Sequence, residues 1–243
     1  MRAILVAVDY TDIVKVTIPY NRHHFTDMMI VTCYRNKDEL KTFAKQNDCI
    51  LYATNAFYDD GAIFNKWKAL EEALTAYGRY EWMCLLDADI LWPKDFGTWL
   101  PNLGCLYVPR RRIFPDVSQP IPQEPYWPSF PLPMKDEEFA GYSQIFHAAD
   151  SHVGPRPWHE TNWVHAGGAD SFFWQKWPKS QRVRPPFEVL HLGPIGLNWC
   201  GRATPLISGE VLPEAEERKQ KLQSFIQQRR GRGPERYQKE RIP

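Results

Sequence analysis

The sequence lacks the features that define several common classes of protein. It contains no CxxC pair, and its five cysteines are an odd number. This favours free thiols in a cytoplasm over a disulfide framework and offers no zinc-site spacing. No apolar run approaches the length of a membrane span, and the apolar run at the N-terminus is too short for a signal peptide. We therefore expect a cytoplasmic protein without a membrane partner.

The sequence also lacks an excess of charge of either sign. Lysine and arginine number 30, against 29 for aspartate and glutamate. The net charge is therefore too small to predict binding to nucleic acid or to an acidic surface. Any such partner has to be bound by a local patch.

Apolar residues, by contrast, are plentiful enough for one sizeable domain. The 243 residues are 43% hydrophobic and 14% aromatic, which supports a substantial core. Apolar runs that predict buried strands occupy residues 3–8, 28–34 and 49–54 and the stretch beginning at Trp82. Residues 37–47 and 59–78 predict intervening helices, the second capped by Asp59 or Asp60 and ended by Gly78. This alternation predicts an α/β fold with a mostly parallel sheet.

The remainder of the chain divides by composition. Residues 108–135 hold eight of the 21 prolines and cannot form a helix or a central strand, so we expect a functional loop or a linker. Order resumes over 136–212. Residues 213–243 predict a helix docked by Leu222, Phe225 and Ile226, followed by a frayed basic tail. We expect one domain over 1–212, with 1–107 as its first half.

Two aspartates stand at the end of the most buried predicted strand, in "WMCLLDADILWP" (82–93). Ligands of parallel sheets bind at the carboxyl ends of strands. Asp87 and Asp89 are two residues apart, so both carboxylates can point to one side. Two adjacent buried carboxylates need a positive partner, and a divalent metal is the simplest one. The alternative is a pair of turn-forming aspartates.

This pattern resembles a known family. A buried strand ending in Asp-Ala-Asp, a preceding helix "GAIFNKWKALEEAL" and a late lone histidine in "EVLHLG" are similar to GT-A-fold glycosyltransferases, most nearly family 2. The resemblance covers about residues 1–200 and is clearest over 49–93. It implies a Rossmann-like GT-A fold, a nucleotide-binding first half, and Mn²⁺ or Mg²⁺ on the diphosphate of a nucleotide sugar. It also implies direct metal contact by Asp89, ribose or water-mediated metal contact by Asp87, and His191 as a further metal ligand; a structural histidine is the alternative.

The same resemblance implies roles for other residues. Asp9 and Thr32, at the ends of the first two strands, occupy positions that contact the base. Lys66, near a helix N-terminus, is suited to phosphate, although a surface lysine is the alternative. "HAGGADSFFW" resembles the acceptor-side segment, which makes Asp170 the candidate base and Glu160 the second candidate. The "ED" pair usual in family 2 is absent, so the base and the inverting outcome stay open; single displacement with inversion is our hypothesis.

Rival functions make different demands on the sequence. A nucleotidyltransferase usually has a glycine-rich loop after its first strand, and "VDYTDIVKVTIPYNRHH" has no glycine. A non-catalytic GT-A-like binding module would tolerate loss of the carboxylates. The expected acceptor is a carbohydrate or a small molecule. The alternative is DNA with hydroxymethylated bases, bound through the basic tail and Arg110–Arg112, because small bacteriophage GT-A proteins resemble this chain; the protein would then act in the host cytoplasm.

Overall fold

Two β-sheets organise the chain in the computed structural model, which describes residues 1–78, 81–96, 99–132 and 139–229. The larger sheet consists of β1 (Arg2–Val6), β2 (Asp27–Thr32), β3 (Ile50–Ala53), β4 (Trp82–Asp87), β6 (Leu106–Tyr107), β8 (Ser143–His147) and β9 (Arg182–Val183). The smaller sheet consists of β5 (Ile90–Leu91), β7 (Arg110–Phe114) and β10 (Glu188–Leu192). The α-helices are α1 (Thr11–Asn21), α2 (Tyr34–Gln46), α3 (Lys66–Tyr77), α4 (Ala169–Trp174) and α5 (Ala215–Arg229).

The larger sheet is mostly parallel. Its strand order is β3-β2-β1-β4-β8-β6-β9, and only β8 runs antiparallel to its neighbours. Val6 at the end of β1 lies in register with Asp87 at the end of β4. The predicted fold class is therefore confirmed, and the carboxyl ends of the two central strands meet at one edge of the sheet.

Helix α3 begins later than the sequence predicts. Asp59 and Asp60 belong to a short 3₁₀ turn in which Asp60 has a φ of 55°. The N-cap is Asn65, whose side-chain oxygen accepts a hydrogen bond from the Lys68 backbone N–H at 3.0 Å. The predicted end at Gly78 is confirmed by its φ of 85°. The later start places the first residue of α3, and not its interior, at the edge of the sheet.

Helix α1 was not predicted from the sequence. It is rich in β-branched residues and contains Pro19, both of which disfavour helix in isolation. Burial of its apolar face outweighs this local preference, since Val14 and Ile18 are fully buried. The Thr17 hydroxyl donates to the Ala88 carbonyl and the Asn21 amide to the Ile90 carbonyl, each at 2.7 Å. Through these hydrogen bonds, helix α1 holds the segment that contains Asp87 and Asp89 in place.

The Pro-rich segment begins with a strand. β7 lies at one edge of the smaller sheet, whose order is β5-β10-β7, and Glu124–Ser129 forms a 3₁₀ turn. Trp127 packs with residues of all three strands in a second hydrophobic cluster. This edge position suits the expectation that no central strand forms here, while residues 133–135 lie outside the described part.

The last described helix packs against the rest of the chain. Leu222 is buried, and the Phe225 ring lies 4.7 Å from the His165 ring. The basic tail from residue 230 onward lies outside the described residues. All five cysteines are free, and among the described residues no helix is long and apolar enough to cross a membrane.

Candidate functional site

A cavity of about 520 Å³ opens at the carboxyl ends of β1 and β4. Its volume is in the usual range for small-molecule sites. The cavity is lined by five of the residues singled out from the sequence, Lys66, Asp87, Asp89, Asp170 and His191. They come from α3, the end of β4, the β4–β5 turn, α4 and β10, so the fold brings together positions that are far apart in the chain.

Asp87 is paired with a lysine inside this cavity. The Lys66 ammonium group forms an ion pair with the Asp87 carboxylate. Lys66 is the first residue of α3, and its ammonium nitrogen lies 4.9 Å from the centre of the Trp67 ring. A positive side chain thus stands at a helix N-terminus beside the aspartate pair, an arrangement that suits phosphate.

Asp89 faces His191 across the junction with the smaller sheet. β5 pairs with β10, which brings the His191 Nε2 atom to 3.7 Å from the Asp89 Oδ1 atom. His191 Nδ1 donates to the Gly193 carbonyl at 2.9 Å, because a carbonyl can only accept. In the neutral ring, Nε2 therefore presents a lone pair to a carboxylate oxygen. In that state the two acceptors could ligate one cation, whereas in the protonated ring the same two groups form an ion pair.

The Asp89 carboxylate is poorly satisfied by the protein itself. Among the described residues, its buried Oδ1 atom has no hydrogen-bond partner. Burial raises the pKa of Asp89; His191 opposes this rise and Asp87 adds to it. An unsatisfied buried carboxylate oxygen is costly unless a ligand or ion completes it.

The protein offers only part of a coordination shell. Across residues 1–78, 81–96, 99–132 and 139–229, no group of three or more His, Cys, Asp or Glu side chains is arranged to hold a metal. Mg²⁺ and similar hard cations are commonly held by one or two carboxylates together with substrate phosphates and waters. The orphaned oxygen of Asp89 and the oriented imidazole of His191 fit that incomplete type of site.

Asp170 also lines the cavity and lies in the first turn of α4. Its Oδ2 atom accepts from the Gly141 backbone N–H at 2.8 Å, and Oδ1 accepts from the Ser171 N–H at 2.9 Å. A Cβ atom at Gly141 would lie only 2.7 Å from the Asp170 Cβ. The approach of these two segments therefore requires glycine at 141 and fixes the position of the carboxylate.

Aromatic side chains form much of the remaining lining. Seven of them face the cavity: Tyr10, Phe64, Trp67, Phe139, Tyr142, Trp174 and Trp199. A Cβ atom at Gly167 would lie 2.7 Å from the Trp199 ring, so this glycine is needed for the indole to pack here. Flat apolar faces with a few charged groups suit a ligand that is part apolar ring face and part anion.

A buried polar network packs against Trp67, one of the aromatic residues that line the cavity. The Glu71 carboxylate accepts from the backbone N–H groups of Trp158 and His159, each at 3.0 Å, and pairs with Arg156. The His159 ring, whose Nδ1 lies 2.9 Å from Glu71, is stacked between Trp67 at 4.6 Å and Phe173 at 4.2 Å. The network therefore fixes one of the aromatic walls.

Three of the singled-out residues do not line the cavity. The Asp9 carboxylate pairs with Arg35 and, at 2.9 Å, with Arg218 of α5. Thr32 is fully buried, and its hydroxyl donates to the Ala7 carbonyl at 2.6 Å. Glu160 is exposed. Base contact by Asp9 or Thr32 and a catalytic role for Glu160 stay predictions.

Two lining residues were not recognised from the sequence. Tyr10 accepts a hydrogen bond from the Asn198 side chain, and burial, together with the charge of Asp89, holds the pKa of Tyr10 well above its ordinary value. Arg111 was grouped with Arg110 and Arg112 as one basic patch. The alternation of side chains along β7, which separates Arg111 from its neighbours, was the signal that could have identified it.

The chain is similar to several solved structures, all at low sequence identity. The sequence matches no protein-family model and no curated protein. Among solved structures, it is similar to glucosyl-3-phosphoglycerate synthase from Mycobacterium tuberculosis, crystallised with Mn²⁺, UDP and glucosyl-3-phosphoglycerate (11% identity, TM-score 0.46, 79% of this chain and 70% of that chain). It is also similar to a galactosyltransferase crystallised with donor and acceptor sugar analogs (14%, 0.40, 99% and 100%).

A synthase is found in the same comparison. 4-diphosphocytidyl-2C-methyl-D-erythritol synthase from Anaerococcus prevotii matches with 9% identity and a TM-score of 0.43, over 93% of this chain and 95% of that chain. Because all three TM-scores are below 0.5, the matches carry no argument about activity, and the function has to be inferred from this chain's own residues.

Proposed function

We propose that the chain is a metal-dependent glycosyltransferase, which moves a sugar from a nucleoside-diphosphate sugar to a hydroxyl acceptor. The observation that carries the proposal is the convergence of Lys66, Asp87, Asp89, Asp170 and His191 on one aromatic-lined cavity. This set supplies what the transfer needs, namely cation-binding oxygens, a phosphate-binding lysine, a carboxylate base and flat surfaces for a sugar.

The donor side is assigned to the β4–β5 turn and the start of α3. Asp89 and His191 would hold Mn²⁺ or Mg²⁺, and Asp87 would contact the ribose or a metal-bound water. When bound, the cation supplies Lewis-acid stabilisation of the diphosphate charge. Lys66 exchanges its ion pair with Asp87 for one with the diphosphate, and so offsets the charge that develops on the leaving group.

The acceptor side is assigned to Asp170. In a single displacement, the bond between the anomeric carbon and the diphosphate oxygen breaks while the acceptor oxygen bonds to the same carbon. The acceptor proton passes to the Asp170 carboxylate, and the nucleoside diphosphate departs with the bonding electrons. The hydrogen bonds from Gly141 and Ser171 hold this carboxylate in place, which is what a general base requires. Inversion at the anomeric carbon is the expected outcome.

Replacing Asp89 with asparagine is expected to abolish metal-dependent donor binding. The amide keeps the size of the carboxylate but removes its charge, so the cation loses its main protein ligand. The measurement is the melting temperature with each nucleoside diphosphate and nucleotide sugar, in Mn²⁺, in Mg²⁺ and in chelator. A ligand that binds only the native state raises the melting temperature by mass action, and at 100 times its Kd it adds about 2.7 kcal/mol of stability.

The control is Asp60→Asn, which removes one carboxylate from the exposed turn before α3. We expect it to respond to ligands as the wild type does. An equal response from Asp89→Asn would contradict the metal assignment, and no shift in the wild type would contradict the proposed function. Incubation with nucleoside triphosphates forms a further arm, because release of pyrophosphate would identify a nucleotidyltransferase instead.

A further inference from the structure

One cation in the cavity is not explained by the roles assigned so far. The guanidinium group of Arg111 lies 4.3 Å from the centre of the Tyr142 ring, and both residues line the cavity. Its buried Nε atom has no hydrogen-bond partner among the described residues. Within the same residues its side chain forms no ion pair, although its charge acts on the Asp89 carboxylate across the cavity and acts to lower the pKa of that group.

Arg112, the next residue of β7, is paired with a carboxylate, unlike Arg111. Arg112 forms a two-point contact with Glu188, with distances of 2.6 and 3.1 Å. Because successive side chains of a strand point to opposite faces, Arg111 is turned toward the cavity while Arg112 is turned away. Arg111 is half-buried, and burying its Nε–H group without a partner is costly. An arginine in this state is suited to receive an anion from outside the chain, and its planar fork matches phosphate or carboxylate.

The position of Arg111 favours the acceptor over the donor. Lys66 and the cation site stand at the ends of β4 and α3, where the donor diphosphate is assigned. Arg111 comes from the smaller sheet, as His191 of the cation site does, and its charge acts to lower the pKa of Asp89. Its guanidinium group itself, however, lies over the ring of Tyr142. The residue before Tyr142 is Gly141, whose N–H holds the Asp170 carboxylate at 2.8 Å. Arg111 and the proposed base Asp170 thus contact two consecutive residues, Tyr142 and Gly141.

We infer that Arg111 selects an acceptor that carries a phosphate or carboxylate group close to the hydroxyl that receives the sugar. The inference rests on the proposed function and adds a substrate class to it. The cavity of about 520 Å³ has to hold the donor sugar and diphosphate as well, which favours a small-molecule acceptor over a duplex nucleic acid. The sequence-based alternative, in which Arg110–Arg112 act together on DNA, predicts a different ligand and serves as an outcome of the test.

The test measures binding of glycerol phosphate, glycerate and glycerol by calorimetry to protein saturated with Mn²⁺ and its preferred nucleoside diphosphate. The variants are Arg111→Gln and Arg111→Lys, with Lys41→Gln as the control that removes one positive charge from the exposed face of α2. We expect the wild type and the control to bind the two anions and not glycerol. Arg111→Gln should weaken anion binding at least about tenfold, since a charge-assisted contact is lost, and Arg111→Lys should retain part of it.

Each other outcome has a definite meaning. If Arg111→Gln loses as much affinity for the nucleoside diphosphate as for glycerol phosphate and glycerate, the inference is overturned and Arg111 is assigned to the donor. Unchanged anion binding in that variant, or equal binding of glycerol, would also overturn it. So would binding of a short single-stranded oligodeoxynucleotide through Arg111 where glycerol phosphate does not bind. Failure of the wild type to bind any nucleoside diphosphate would instead count against the proposed function, and the two failures are therefore distinguishable.

Discussion

Replacing Asp170 with asparagine is expected to lower the rate of sugar transfer by about 10²- to 10⁴-fold, the usual contribution of a general base. The asparagine oxygen can still accept the hydrogen bond from Gly141, and only the local contact with the Ser171 N–H loses its acceptor, so the donor site should stay intact. The measurement is steady-state kinetics of nucleoside-diphosphate release, together with the ligand-dependent melting temperature. We expect kcat to fall while the shift induced by nucleoside diphosphate and metal stays at the wild-type value.

The matched control is Glu160→Gln, since Glu160 was the second candidate base. Its side chain is exposed and does not line the cavity, so the variant should transfer sugar within about twofold of wild type, as surface substitutions usually leave a protein nearly unperturbed. Loss of transfer in Glu160→Gln and normal transfer in Asp170→Asn would reverse the assignment.

Replacing Glu71 with alanine is expected to lower the free energy of unfolding by about 3–5 kcal/mol, the usual cost of breaking a buried ion pair from one side. The change leaves Arg156 without its carboxylate partner and removes the acceptor of two buried N–H groups. It also frees the His159 ring that is stacked against Trp67. Urea denaturation with the wild type as reference measures the effect.

Glu72→Ala provides the comparison, because Glu72 is the next residue of α3 but points to the exposed face. Its carboxylate accepts hydrogen bonds from Tyr52 and Thr54 at 2.7 and 3.0 Å. We expect a loss of about 1 kcal/mol or less, as is usual for exposed contacts. Similar losses in the two variants would mean that the buried network does not stabilise the fold more than surface contacts do.

The same network predicts how stability depends on pH. Burial lowers the pKa of His159 from 6.5, against the opposing effect of Glu71. Burial acts to raise the pKa of Glu71 from 4.5, but the hydrogen bonds and charge of His159, with Arg156, outweigh it and lower that pKa. In both cases the unfolded state binds more protons than the folded state. The free energy of unfolding should therefore fall on acidification, first below about pH 6.5 through His159 and then below about pH 4.5 through Glu71. Denaturation curves across this range test the sign.

Strongly apolar strands and the one helix with a clear stop signal could be predicted from the sequence. Gly78 ends α3 because glycine adopts a positive φ freely, a property of the single residue. Helix α1 could not be predicted, because its β-branched residues and Pro19 oppose helix locally and only burial against the sheet stabilises it. Likewise, Asp59 and Asp60 are good capping residues, yet the chain uses Asn65, whose amide also donates to the Thr161 carbonyl at 2.6 Å. Such tertiary contacts carry no local signal.

The residues of the candidate site could likewise be predicted only in part from the sequence. The aspartate pair, Lys66 and Asp170 could be proposed because each stands at a recognisable boundary of a strand or a helix. Strand alternation could have separated Arg111 from Arg110 and Arg112, but which face of β7 meets the cavity depends on its pairing with β10. The engagement of Asp9 by Arg218 was equally hidden, because these residues are 209 positions apart and only the docking of α5 brings them together.

The pairing of β5 with β10 has a consequence for the order of events during synthesis. As the chain leaves the ribosome, the central strands and both aspartates emerge well before His191, which follows the whole Pro-rich segment and α4. Until β10 joins β5, the Asp89 carboxylate has no imidazole beside it. Such long-range pairings form slowly compared with local contacts. The Asp89–His191 pair is therefore completed late in synthesis, and an N-terminal fragment that ends before β10 carries the two aspartates without His191.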